Sequence, residues 1–557
     1  MKNALTIEYT NVIYISMTAL FLSLIMVPAL RRWAIEKRHF DIPNDRKVHF
    51  RPMPRLGGVA IFIAFLFSIL IFEKINCQVR GILAGSLILF STGLVDDLYG
   101  LSAKKKFFGE ICGCLITIFV GQLYITNIGD PLGTGPISLP LWIGIPFTVF
   151  AIVGVVNALN LLDGLDGLAG GFAVMALSGF FLIGYFEGNE VVMSLCAALI
   201  GGIFGFLRFN IYPSRIFMGD AGSLTIGFIL GFLAIFLTQG PESTIKPVVP
   251  FLILGLPIID TLRVMIRRLF LGKSPFSPDR SHVHHRFLDL GFHHRFTVMI
   301  IHGLTLFWIM VALVFYQQPE RLLFSTYLIL SIVFYTSLSL SIKYKGKLPI
   351  LRLDSDRSLR ETRFYRWLAS LSTKIDPVLA SLLLVFLFRT NYYTVAVDAQ
   401  VAVISGILLT VSSLSFFYAR DLRNPFLMAV LFISGLIIAF QSERLMVPAG
   451  FCFVSYTMIN RLIICSVAVL VFFKMAFKKK EYIMRYSTMD FLLFGLPLCI
   501  SISSTNLKLP NIYPEVIMKG LILFLSFKVL VIHSRTMLRW ALWGVHGMLL
   551  ALVLHGI

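Results

Sequence analysis

The stretch NALNLLDGLDGLAGG, residues 157–171, sets Asn157, Asn160, Asp163 and Asp166 between apolar runs near 141–158 and 169–186. Those flanking runs are long enough to be transmembrane helices, so the polar stretch belongs where one helix hands over to the next. A carboxylate beside lipid costs about 2.5–3.5 kcal/mol at a helix centre, so such groups persist only where protein or water satisfies them. On an ideal helix a three-residue spacing drifts by about 60° per step, which would fan the four side chains across half the surface. Gly164 and Gly167 are expected to relax the backbone here and let the side chains wrap a ligand. Two amides and two acids in so short a stretch are hard to explain as packing in lipid.

Four more polar clusters interrupt the apolar chain: DIPNDRKVHFRPMPRLGG (41–58), VDDLYGLSAKKKF (95–107), FMGDAGS (217–223) and DRSHVHHRF (279–287). Around them the chain is 57% hydrophobic and only 14% charged over 557 residues, a balance that excludes a soluble globular protein. The predicted fold class is all-α, a polytopic integral membrane protein with about eighteen transmembrane helices, about eleven of them in a catalytic core. Spans are expected near 12–30, 57–73, 80–95, 107–125, 141–158, 169–186, 191–209, 223–238, 247–266, 297–316 and 321–342. A second set is expected near 376–389, 398–418, 425–440, 450–474, 488–503, 515–532 and 540–556.

The net charge of +20 does not indicate nucleic acid, because Lys and Arg concentrate in alternate loops. With the N-terminus outside, loop 31–56 faces the cytoplasm with Arg31, Arg32, Lys37, Arg38, Arg46, Lys47, Arg51 and Arg55. The same parity carries all five clusters to that side. The expected location is the inner (cytoplasmic) membrane, with the active site facing the cytoplasm. The seven cysteines show no C-x-x-C spacing and read as packing residues. Residues 12–30 lack a small-residue cleavage site and are expected to stay as a helix. The long charged interval after 342 divides the chain into a core at 1–345, a cytoplasmic basic linker at 346–375 and a C-terminal helical module at 376–557.

Each cluster has a plain reading beside a chemical one. Asp96 and Asp97 end an apolar run before Lys104, Lys105 and Lys106, which by itself is an ordinary solvated helix end. Adjacent helical residues point about 100° apart, so the two carboxylates cannot serve one ion alike. One can hold a metal or activate a nucleophile while the other orients lysine. Asp220, among small residues at a helix start, reads either as a cap or as a Mg²⁺ ligand, with free N–H groups nearby for an anion. His282, His284 and His285, flanked by Arg280 and Arg286, lack a structural-zinc spacing and suit a diphosphate better. His293 and His294 read as loop residues. The first cluster, with His49, Arg51 and prolines that stiffen it, is otherwise a positive-inside loop.

Taken in order, the five clusters resemble the polyprenyl-phosphate N-acetylhexosamine-1-phosphate transferases over about residues 10–345. RSHVHHRF looks like the His-x-His-His signature of the bacterial undecaprenyl-phosphate GlcNAc-1-phosphate branch. The phospho-MurNAc-pentapeptide branch usually has three consecutive histidines, which are missing here. The resemblance implies attack by polyprenyl phosphate on the β-phosphorus of a UDP-N-acetylhexosamine, giving polyprenyl-diphospho-sugar and UMP in cell wall or lipopolysaccharide assembly. It also implies roles. Asn160 and Asp220 match the Mg²⁺ ligands (Mn²⁺ as substitute), and Asp166 matches a nucleotide contact. Asp96 and Asp97 match the acidic pair and Lys106 a position near the lipid phosphate. His284 and His285 match diphosphate contacts. Asp163 joins the catalytic set, and His49, Arg51, Asn157, His282 and Arg286 the substrate-binding set.

A secondary transporter is the alternative from another class. Transporter sites usually sit at mid-membrane on broken helices within repeats, whereas these clusters share one interface and no repeat is evident. The module at 376–557 departs from the family. It is a candidate for lipid binding, for a homodimer contact or for docking a glycan-assembly partner, with anchoring as the plain reading.

Overall fold

Helices form wherever apolar residues run long enough, because in lipid every backbone N–H and C=O must be satisfied within the segment. The computed structural model describes residues 10–37, 40, 52–240, 243–274, 281–344, 363–394, 397–418, 423–444, 456–476, 512–533 and 535–556. In the first unit these are α1 (Thr10–Glu36), α2 (Gly57–Phe72), α3 (Cys77–Tyr99), α4 (Ala103–Gly121), α5 (Leu141–Leu162), α6 (Leu168–Phe186) and α7 (Glu190–Asn210). They are followed by α8 (Gly219–Thr238), α9 (Val248–Ile253), α10 (Gly255–Phe270), α11 (Val283–Asp289), α12 (His294–Val314) and α13 (Glu320–Lys343).

The second unit holds α14 (Arg363–Lys374), α15 (Asp376–Tyr393), α16 (Ala399–Tyr418), α17 (Arg423–Arg444), α18 (Tyr456–Ala476), α19 (Ile512–His533) and α20 (Arg535–Gly556). No strand occurs among the described residues, only a bridge between Asn127 and Ser138. Nine of the described helices are long and apolar enough to cross a membrane, and the protein is an all-α, multi-pass membrane protein. The span expected near 488–503 lies outside the described residues.

Helices α6, α7 and α8 are buried on almost every side and form the centre of the first unit. Helices α1 and α2 pack on α7, α3 and α5 pack on α8, and α12 packs on α6. The closest approaches are made by glycine. A Cβ on Gly58 would fall on the backbone of Gly222, and one on Gly93 on the backbone of Asp220 and Ala221. The start of α8 is therefore wedged between α2 and α3 with no side chain intervening.

One expected span is broken. Residues 247–266 do not run through as a single helix, because α9 stops at Leu254 and α10 starts anew. Pro257 has no N–H to give the carbonyl of Ile253 and its ring crowds that carbonyl. Beyond the break α10 becomes two-sided, with Asp260 and Val264 buried while Leu262, Ile266, Leu269 and Phe270 are exposed. In the second unit α17 packs on α19 and α20 on α15 and α16. The interval read as a basic linker contains α14.

Candidate active site

The site starts with the end of α3. Gly100 takes φ 72° and returns its N–H to the Asp96 carbonyl, while Asp96 Oδ1 accepts the Leu101 N–H at 2.6 Å. This turn reverses the chain into α4 and brings Lys106 back to Asp96, with Nζ–Oδ2 at 3.3 Å. The same ammonium lies 2.5 Å from Asp220 Oδ2, so one lysine bridges two carboxylates from distant stretches. Asn160 also lies against the Asp220 carboxylate and donates Nδ2–H to Ser223 Oγ at 3.0 Å.

Asp97 points elsewhere. Its Oδ1 accepts the Asp220 N–H and its Oδ2 the Ala221 N–H, both at 2.9 Å. The carboxylate of α3 thereby caps α8, a helix from another part of the chain, and balances the partial positive charge there. Gly219, at φ 74°, permits this contact, since any Cβ would strike Asp97 Oδ2 and the Arg55 carbonyl. Pro54 to Gly58 complete the clamp: Phe217 N–H donates to Pro54 O, and Gly57 and Gly58 N–H donate to Phe217 and Met218 O. The expectation that the start of α8 offers free amides to an anion is corrected here, because Asp97 takes two of them.

Helix α5 ends at Leu162, so only Asn157 and Asn160 are helical, and Asp163 and Asp166 belong to the connection into α6. Asn157 donates Nδ2–H to Glu110 Oε2 at 2.7 Å and to Val153 O at 2.9 Å. Glu110, in α4, is 1% exposed and is a site residue that sequence reasoning missed. Asp163 faces Asp220, Asp166 and Arg55. Burial pushes its carboxyl up to about 7, the neighbouring acids add to the shift, and Arg55 opposes it. Asp166 Oδ2 accepts the Ser214 N–H at 3.0 Å. His294 lies against Asp166, with the Tyr212 ring tilted over it at 4.5 Å, so His294 belongs to this wall of the site rather than to a bare loop.

The histidine loop is held by a second overlooked acid. Asp260 of α10 accepts His282 Nδ1 at 2.9 Å, the Val283 N–H at 3.1 Å and Tyr335 Oη–H at 3.2 Å, with Arg263 Nη2 at 3.3 Å. His284 is 2% exposed and its ring covers Gly164, where a Cβ would collide with it. This contact joins the histidine loop to the Asp163 turn. Burial first, then the neighbouring His285, lowers the His284 pKa to about 3. It is therefore a neutral ring at physiological pH and can meet an anion only as a hydrogen-bond donor. Arg286 does not join the cluster; its Nη2 donates to Ser339 Oγ of α13 at 2.7 Å. His49 and Arg51 lie outside the described residues.

Lys106, Glu110, Asn157, Asn160, His282 and His285 open onto a single groove of about 1860 Å³. Its walls from α4, α5, α8, α9, α10 and α13 are mainly apolar, with Phe147, Phe150, Phe251 and Phe324 along its length. Small-molecule sites take roughly 300–1,000 Å³, so this groove suits a long apolar chain with a polar head.

Residues 79–238, which carry every acid of the cluster from Asp96 to Asp220, match the family model described as "Glycosyl transferase family 4". A Bacillus subtilis protein named "Probable undecaprenyl-phosphate N-acetylglucosaminyl 1-phosphate transferase" is 36% identical over 282 residues, covering 50% of this chain and 78% of the relative. Proteins named undecaprenyl-phosphate alpha-N-acetylglucosaminyl 1-phosphate transferase are similar too. The one from Yersinia pestis is 32% identical over 306 residues, or 54% of this chain and 81% of the relative. The one from Escherichia coli K12 is 31% identical over 303 residues, with the same shares of 54% and 81%. With its acidic cluster, its glycine-wedged α8 and these relatives taken together, the chain belongs to the polyprenyl-phosphate N-acetylhexosamine-1-phosphate transferase family.

Proposed function

We propose that the protein transfers N-acetylhexosamine-1-phosphate, GlcNAc-1-phosphate in the first instance, from a UDP-sugar to undecaprenyl phosphate and releases UMP. The reaction is the first membrane step of a cell-envelope glycan. The observation that carries this reading is the gathering of Asp96, Lys106, Asn160 and Asp220 at the polar end of an apolar groove.

In this reading an oxygen of the lipid phosphate attacks the β-phosphorus of the donor. The bond from that phosphorus to the bridging oxygen breaks, and the electron pair leaves on UMP. A phosphate monoester is already ionised at neutral pH, so no strong base is required. Lys106 stands where it can bind the lipid phosphate, with the isoprenoid chain along the groove. His284 can donate one hydrogen bond to the donor, and Asp166 with its Tyr212–His294 wall is the nucleotide side. Phosphoryl transfer depends mainly on such positioning and on neutralising oxygen charge.

The donors fit Mg²⁺, a hard cation that prefers oxygen. Asp220 and Asn160 would hold it, and Asp163, whose carboxyl burial first and then Asp220 push up to about 7, faces the same carboxylate. Lys106 now occupies Asp220, and no grouping of three or more His, Cys, Asp or Glu forms a ready-made ligand set among the described residues. Asp220 and Asn160 would hold a cation that arrives with the diphosphate, and Lys106 would then share Asp220 with it or release it. When bound, the cation supplies charge neutralisation to the diphosphate oxygens.

Because UDP-sugars are cytoplasmic, this function places the site on the cytoplasmic side of the inner membrane. The test is incubation of the purified full chain with undecaprenyl phosphate and UDP-GlcNAc, UDP-GalNAc or UDP-MurNAc-pentapeptide, reading UMP and lipid product. Product with a UDP-N-acetylhexosamine, abolished by EDTA and restored by Mg²⁺ or Mn²⁺, is the expected result. Product from the pentapeptide donor alone would replace this reading with the phospho-MurNAc-pentapeptide one.

A further inference from the structure

Asp260 is a costly residue to place on a helix in an apolar run, and it is 4% exposed. Its contacts account for its presence. It gathers the His282 ring, the backbone N–H that opens α11, the Tyr335 hydroxyl and the Arg263 guanidinium around one carboxylate. Arg263 also donates to the Ser281 carbonyl and lies 4.8 Å over the Tyr335 ring, so α10 and α13 grip the residues on both sides of His282. The opposite ring nitrogen, His282 Nε2, is buried and has no hydrogen-bond partner among the described residues. That ring lines the same groove as Lys106 and Asn160.

We propose that Asp260 is a positioning residue of the transfer reaction: it fixes the His282 ring with hydrogen on Nδ1 and aims Nε2 at the diphosphate of the sugar donor. The activity arm of this inference rests on the transferase reading above. A carboxylate only accepts hydrogen bonds, so it selects the Nδ1–H form of the ring. A phosphate oxygen on the far side also only accepts, so a ring that bridges the two anions does so by donating from each nitrogen. Orientation by such an outer carboxylate is worth about 10–100-fold where an imidazole binds a metal, and a diphosphate contact asks the same orientation of the ring. The same carboxylate caps α11, which sets the direction in which His284 and His285 leave the turn.

The test is a double-mutant cycle on the full chain in nanodiscs. Asp260→Asn keeps an acceptor for Val283 N–H but turns an NH₂ toward His282, which reverses the tautomer. It should lower kcat/KM for the UDP-sugar about 10–100-fold and leave the KM for undecaprenyl phosphate unchanged. In a His282→Gln background the same substitution should cost less than about twofold, because the residue it acts through is gone. Tyr335→Phe, which removes one hydrogen bond and no charge, should give a smaller loss that also vanishes in that background. Nitrogen-15 shifts of histidine-labelled protein, with His282 assigned by its loss in His282→Gln, should show Nδ1–H in the wild type and its reversal in Asp260→Asn. Multiplicative losses in the cycle, equal damage to both substrates, or an unchanged tautomer would overturn the inference. A wild-type chain that made no lipid product from any UDP-sugar would defeat the transferase reading, while the tautomer measurement would still decide Asp260.

Discussion

Substituting Asp97 by asparagine separates two roles that sequence alone leaves open. As a general base Asp97 would take a proton from the nucleophile; as a clamp it holds the loop that presents Asp220. Both of its oxygens are committed to the amides of Asp220 and Ala221 at 2.9 Å, so the clamp is the role derived from the geometry. Hydrogen bonds to a charged acceptor contribute about 1.5–3 kcal/mol each. Asparagine keeps one acceptor and turns an NH₂ toward the other N–H, so about 3 kcal/mol of loop positioning is lost. At 1.36 kcal/mol per tenfold, that is roughly a hundredfold fall in kcat. The assay is UMP release at saturating substrates from pH 6 to 9, with a thermal melt of the same sample. A clamp mutant scales the whole pH profile down and melts earlier. A base mutant loses a limb of the profile without melting earlier. Asp97→Asn with activity within about threefold of wild type, or with a lost limb and an unchanged melt, would refute the clamp.

Asp220→Asn removes the carboxylate shared by Lys106 and should cut turnover about 10²–10³-fold while insertion into the membrane stays normal, checked by UMP release against expression in the membrane fraction. Gly58→Ala puts a methyl on the backbone of Gly222 and should cost about 1–3 kcal/mol, read as an earlier melt and lower turnover. The lowered pKa of His284, about 3, means the unfolded chain binds its proton first as pH falls. Stability is therefore full above the unfolded value near 6.5 and declines as pH falls from there toward 3, and His284→Gln should flatten that decline in melts from pH 7 to 5. Lys474→Met strands Asp376, which is 8% exposed, and should destabilise the second unit by about 3–5 kcal/mol while turnover per folded molecule is unchanged.

Polar clusters proved easy to read, and single polar residues did not. The runs around Asp96, Asn160 and Asp220 announce themselves because several costly groups stand together between apolar helices, and the structure gathers these three with Lys106. Glu110 and Asp260 carry the same signal in weaker form, one acid each within the runs 107–125 and 247–266. The cost of an acid beside lipid was reason enough to ask what satisfied each of them, and the answers are Asn157 and the histidine loop. The break at Leu254 was likewise readable from Pro257, whereas hydrophobicity alone joins α9 to α10. Two findings had no signal in the linear chain: the capping of α8 by Asp97 and the seating of His284 on Gly164. Both arise from tertiary approach, and a glycine at a wedge looks like a glycine at a turn until its neighbours are known.

Charge pairing differs between the two units, and the difference says where ligands are needed. In the second unit Lys474 meets Asp376, Lys519 meets Glu443 and Arg461 meets Glu515, each cation closing on one acid of its own unit. Each of these pairs balances its own charge. In the first unit four carboxyls, Asp96, Asp97, Asp163 and Asp220, share a neighbourhood in which Lys106 and Arg55 are the opposing cations among the described residues. Acids outnumber those cations two to one there, even before Asp166 is counted. Burial raises the Asp163 carboxyl first, and its neighbours Asp220 and Asp166 raise it further. A protein that only anchored itself would have no reason to keep an unbalanced acidic cluster at the head of an apolar groove. The proposed transferase, which would bring two phosphorylated substrates and a cation together there, would.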